Sequence, residues 1–166
     1  GHRMSGTEMR DFARFLMLSA LLTGYDRAEL QGTGCAEDYW AHFRKVIPPE
    51  ILTAFLVPVP EIAGCEGHAA PGPRERDRRV RETYLADERL GQPARALIQL
   101  WYLGQWRPLP QDWRRAYGAS RHDVAKVTST RAYREGLVWD AIGAHPMGAK
   151  QQGFGAWAAE PPGPKV

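Results

Sequence analysis

An all-α fold is what this sequence predicts: five or six short helices around one core, with an extended, irregular C-terminal arm. Three observations carry that prediction. Apolar residues recur at three- and four-residue spacing in one window after another, which is helical periodicity. The 13 prolines and 17 glycines cut those windows short. Strand-like patterning is confined to Phe55–Val59, where Pro58 argues against a central strand. A chain of 166 residues is large enough for one real core, so residues 1–166 are read as a single domain.

The first helix is expected from Thr7 to Leu22. Thr7 is the candidate cap, with Glu8 and Asp11 near the positive end of the helix. Met9, Phe12, Phe15, Leu16, Ser19 and Leu22 mark its buried side, and Met17, Leu18 and Leu21 widen the apolar stripe. A helix that apolar belongs at the centre of a core or under a partner. Gly24 ends it. Residues 1–6 are polar, begin with a Gly-His that reads as an expression scar, and are set aside as disordered or tag-derived.

A second helix is expected over Cys35–Val46, capped by Thr33, with Ala36, Tyr39, Trp40, Phe43 and Ile47 on its apolar face. Pro48-Pro49 ends it, and Pro49 suits the first turn of a short third helix, Glu50–Leu56. The stretch from Gly64 to Pro73 holds little that is bulky and reads as an exposed loop. From Arg74 to Leu90 the spacing predicts a charged helix on a thin apolar stripe of Val80, Tyr84 and Leu85. Its arginines alternate with Glu75, Asp77 and Glu82, the mark of a solvated face with local ion pairs. The next helix runs from Pro93 to about Leu103 and is closed by Gly104. One helical turn is expected at Trp113–Tyr117, and Ser120–Val127 carries no decisive pattern.

The tail divides in two. Thr128–Ile142 reads as a helix, capped by Ser129 or Thr130, with Tyr133, Leu137 and Ala141 on one stripe and Trp139 off it. The arm that follows, residues 144–166, has no period. It joins Gly148, Gly153 and Gly155 to Phe154, Trp157 and the Pro161-Pro162 pair. Large aromatics on such a segment need a surface to cover them. That surface is either this protein's own core or another chain, and both readings stand at this point.

The succession Tyr133-x-x-Gly136-Leu137-Val138-Trp139, Ala144-His145-Pro146-Met147-Gly148 and Gly153-Phe154-Gly155-x-Trp157-Ala158, closing on Pro161-Pro162, resembles the small subunit of bacterial membrane-associated, FAD-dependent sugar and polyol dehydrogenases. Phe12–Gly24 and Ala96–Gly104 are similar to that family as well. The resemblance implies a non-catalytic accessory subunit that supports maturation, stability and export of a large FAD-binding dehydrogenase subunit, often beside a multi-haem cytochrome c subunit. It implies a periplasmic location, membrane-associated through those partners. FAD is then expected in the large subunit, with no cofactor or metal in this chain. Trp139, His145, Phe154, Trp157, Pro161 and Pro162 are the candidate interface. Cys35 and Cys65 are a candidate disulfide, the alternative being two unbridged thiols.

Direct reading of the residues agrees on what is missing. The histidines show no HxxxH or HExxH spacing, and there is no CxxC, GxGxxG or GxSxG, so no catalytic residue is assigned. A net charge of +3 is too small to call for nucleic acid. No run reaches the roughly 20 apolar residues of a membrane span. The alternative function is a free-standing small helical enzyme or ligand-binding domain, its site between helices near His145 and Trp139.

Overall fold

The computed structural model describes residues 4–127. Within them the chain is mainly helical, as the sequence predicts. The expected helix at 128–142, the arm at 144–166 and all six candidate interface residues lie outside the described residues.

Helix α1 (Gly6–Thr23) is the axis of the body. It packs against α2 (Arg27–Gly32), α3 (Ala36–Val46), α4 (Pro49–Leu56), α5 (Val59–Ala63) and α7 (Gly91–Leu103). Its cap is Ser5 rather than Thr7. The Ser5 hydroxyl accepts from the Glu8 amide at 3.1 Å, and the Glu8 carboxylate accepts from the Ser5 amide at 3.1 Å. Two of the first-turn amides that a helix leaves unpaired are thereby satisfied. Ser5 and Gly6 therefore belong to the fold, although the sequence reading sets residues 1–6 aside as disordered or tag-derived. Gly24 closes α1 in the left-handed conformation, with φ of 85°.

Two helices escape the sequence pattern. Helix α2 is one short capped segment, with Asp26 and Glu29 forming a second capping box. Helix α5 occupies part of the β-like run: its prolines, 58 and 60, sit at the start of a helix, where the missing N–H has no intrahelical acceptor in any case. Thr33 does not cap α3 directly. Its hydroxyl donates to the Leu30 carbonyl and accepts from the Cys35 amide, knitting the α2–α3 turn.

The charged helix is shorter than its spacing predicts. Helix α6 (Pro73–Val80) passes into a π-helical turn, Arg81–Leu85, closed by the Ala86 amide on the Arg81 carbonyl at 2.8 Å. Asp87 then ends the run: its carboxylate accepts from the amides of Arg89 and Leu90 at 2.7 and 3.0 Å. The exposed face carries the expected ion pairs, Arg78 with Glu75 and Glu82, and Arg79 with Glu75.

Helix α7 crosses the core and ends at Gly104, with φ of 70°. A two-residue strand, β1 (Gln105–Trp106), follows and pairs antiparallel with β2 (Lys126–Val127), Gln105 opposite Val127 and Trp106 opposite Lys126. Helix α8 (Gln111–Tyr117) lies between them in sequence and is seated by Trp113, whose indole N–H donates to the Arg89 carbonyl at 2.9 Å.

The core is aromatic. Phe15, Trp40, Phe43, Phe55, Tyr84 and Trp106 form a chain of ring contacts. Trp101 meets the edge of Tyr39 at 4.7 Å, and Tyr25 lies 6.1 Å from Tyr102. Trp101 and Tyr102 are thus core residues. The two stretches of the described body that carry the family resemblance become α1 and α7, which pack on one another, and each ends in a left-handed glycine.

Candidate functional site

Among the described residues the polar chemistry gathers at one end of α7, where β1, the 107–110 segment and the β2 approach converge. Asp123 is its buried centre, with 2% of its surface exposed. One carboxylate oxygen accepts the Trp106 indole N–H at 2.8 Å and the Leu109 amide at 3.1 Å; the other is 3.2 Å from the same amide. Arg114 Nε lies 3.6 Å from that second oxygen. A carboxylate with these partners is structurally committed: it orders the segment between β1 and α8 and has little left to offer a substrate. Of the adjacent pair His122 and Asp123, only Asp123 enters the core.

His42 lies beside this node. Its ring meets the edge of Trp106 at 5.1 Å, and its Nε2 has no hydrogen-bond partner among the described residues. Burial pushes its pKa down to about 4, assisted by the positive charges of Lys126 and Lys45 and opposed by Asp123. At neutral pH it is an uncharged ring packed among aromatics. No group of three or more His, Cys, Asp or Glu side chains suited to a metal ion occurs among the described residues.

The candidate disulfide is not formed. Cys35 and Cys65 are both thiols. Cys35 is buried at the start of α3, where its Sγ donates to the Thr33 carbonyl at 3.4 Å. Cys65 follows the end of α5, and burial raises its thiol pKa, which opposes the thiolate form that a nucleophile needs.

A cleft of about 210 Å³ opens over the same end of the molecule, between α7 and the 107–110 segment. Gln92, Arg95 and Gln99 line one side, and Arg107 adds a second guanidinium. The positions 92, 95, 96 and 99 follow helical spacing, so one stripe of α7 faces the cleft while Leu97, Ile98 and Trp101 bind it to the core. Ile98 and Leu109 form part of the apolar floor. The Arg95 Nε is sealed from solvent and has no hydrogen-bond acceptor among the described residues. Nη1 of the same side chain lies over Gly91, where an added Cβ would stand 3.1 Å from it and 2.9 Å from the Leu85 carbonyl oxygen.

Sequence reading misses this cleft. The pattern that could have shown it is the polar stripe Gln92, Arg95, Gln99 on the face of α7 opposite its most apolar side, followed by Arg107 in a proline-flanked segment. The six residues singled out from sequence, Trp139, His145, Phe154, Trp157, Pro161 and Pro162, lie outside the described residues, and their relation to the cleft is not part of the geometry. Comparison with protein families, with curated proteins and with solved structures returns no match to this chain.

Proposed function

We propose that this chain is a non-catalytic accessory subunit of an FAD-dependent sugar or polyol dehydrogenase complex. The feature that supports the reading is the ordered set of sequence stretches that resemble that family, from Phe12–Gly24 through Ala96–Gly104 to the aromatic tail. The all-α body is in keeping with it. So is the use of the first two stretches as the packed pair α1 and α7.

In this reading the FAD belongs to the large subunit, and a multi-haem cytochrome c subunit carries electrons onward. The small chain holds its partner in a folded, exportable form by burying apolar surface, with Trp139, Phe154 and Trp157 as anchors and His145, Pro161 and Pro162 beside them. A few aromatic anchors supply most of the binding free energy in interfaces of ordinary size. A pre-set proline backbone loses less entropy on docking. The periplasm is the compartment in which such a complex works.

The test is co-expression with a large FAD-binding dehydrogenase subunit of that family, sought first in the neighbouring reading frames. The two should co-purify in fixed ratio, and the complex should carry FAD and oxidise its sugar or polyol with a dye acceptor. Deleting residues from Gly153 onward should lower co-purification tenfold or more, about 1.4 kcal/mol, while helix content and thermal stability stay almost unchanged. Stoichiometric FAD on the isolated chain, or dehydrogenase activity without a partner, would overturn the proposal.

A further inference from the structure

We propose that the cleft between α7 and the 107–110 segment is a binding site for a small carboxylate with an apolar body. Its lining has two unlike parts. Arg95 and Arg107 bring two guanidiniums, and Gln92 and Gln99 bring amides that both donate and accept. Ala96, Ile98, Leu109 and the rings of Pro108 and Pro110 supply the apolar part. Small-ligand sites combine these features: an apolar wall and a few convergent polar groups.

The charge balance points to an anion. Neither Arg95 nor Arg107 forms an ion pair within 4.0 Å among the described residues, whereas Arg14, Arg78, Arg79, Arg114 and Arg115 each do. The buried carboxylate nearest in sequence, Asp123, is engaged by Trp106, Leu109 and Arg114. Among the described residues no acidic side chain lines the cleft. Arg95 is held half-buried over Gly91, with its Nε shut off from water and without an acceptor among the described residues. A cation kept in that state lacks both hydration and a counter-charge on its inner side, and a guanidinium pairs best with a planar carboxylate. The apolar floor then selects a carboxylate attached to a hydrocarbon body over a bare oxyanion.

Benzoate is the probe, with benzamide as its uncharged counterpart and inorganic phosphate as a bare anion, all applied to the full chain at low salt. The Arg95 Nε–H, sheltered from solvent, gives a side-chain NMR signal that should move saturably with benzoate, with Kd on the order of 1 mM. Benzamide and phosphate should leave it in place. Arg107→Gln, at an exposed position, should weaken benzoate at least tenfold with the helical spectrum retained, and Arg95→Gln should abolish saturable binding, again with that spectrum retained. An unmoved Arg95 signal would overturn the site. Unchanged benzoate affinity in Arg107→Gln would overturn the paired-guanidinium assignment, and phosphate binding in place of benzoate would overturn the ligand class.

Discussion

The Tyr84 hydroxyl donates to the carbonyl of Phe55 at 2.8 Å, across 29 residues of chain, while the two rings stack 5.6 Å apart with planes 10° from parallel. Phe55 is in the last turn of α4, where carbonyls run out of intrahelical donors. Tyr84 is in the π-helical turn after α6. A single side chain thus closes a helix end and joins the first half of the core to the second.

Replacing Tyr84 with Phe keeps the ring and removes only the hydroxyl. The Phe55 carbonyl is then left buried without its donor, and chemical denaturation should show a loss of about 1–2 kcal/mol. Tyr84→Ala removes the stack as well and should cost about 3–5 kcal/mol. Equal losses in the two variants would mean that the ring contributes nothing beyond its hydroxyl.

Asp123 anchors the segment between β1 and α8, so Asp123→Ala strands the Trp106 indole N–H and the Leu109 amide together. The expected loss is about 2–4 kcal/mol. Trp106→Phe removes one donor and part of the ring area. The two effects should fall short of additive in the double variant, because both delete the same contact. Full additivity would place the two side chains in separate energetic units.

His42 makes stability depend on pH in a defined window. The unfolded imidazole takes up its proton near pH 6.5, the folded one only at about pH 4. Between those values the unfolded chain binds more protons, so stability rises with pH. The contribution is fully present above pH 6.5, fades as the pH falls, and is gone by about pH 4. Its size is on the order of 2–3 kcal/mol. In His42→Leu that part of the slope should vanish, whatever the variant's absolute stability. A slope unchanged by the substitution would assign the pH dependence to other groups.

Gly64 closes α5 with φ of 77°, and a Cβ there would lie 2.4 Å from the Cα of Ala70. Both the backbone conformation and the space exclude a side chain. Gly64→Ala should therefore destabilise by about 2 kcal/mol or more, while Gly67→Ala, which meets nothing within 4 Å, should cost only its left-handed strain.

The regular helices were readable where apolar spacing and a stop residue agreed. Phe12 to Gly24 and Leu97 to Gly104 satisfy both conditions, and α1 and α7 end where their glycines say. The misreadings have local causes. Pro58 and Pro60 read as stops after the third helix and argue against a strand, but they suit a helix start equally well, and α5 begins there, packed against α1. The break after Val80 depends on a widened turn that aims Tyr84 at a distant carbonyl, and helical periodicity has no term for that. Asp123 sits in a stretch without pattern, since its role is defined by Trp106 and Leu109. The cleft escaped because it is formed by two segments that meet only in the folded chain. The bridge between Cys35 and Cys65 was suggested by the family resemblance and by the presence of two cysteines, and both side chains are thiols.

The exposed connection between α5 and α6 has a consequence for how the body holds together. Arg14 clasps Glu66 through two hydrogen bonds of 2.9 and 3.0 Å, and the residues from Gly67 to Ala70 stand in solvent beyond it. On either side of that connection lie the partners of the same contacts: Phe55 and Tyr84, Tyr39 and Trp101, Phe43 and Trp106. The peptide bonds at the tip are therefore not what keeps the halves in register. A protease that nicks the chain there should yield two bands on a denaturing gel and one particle in solution, a natural split protein whose fragments find each other through their rings.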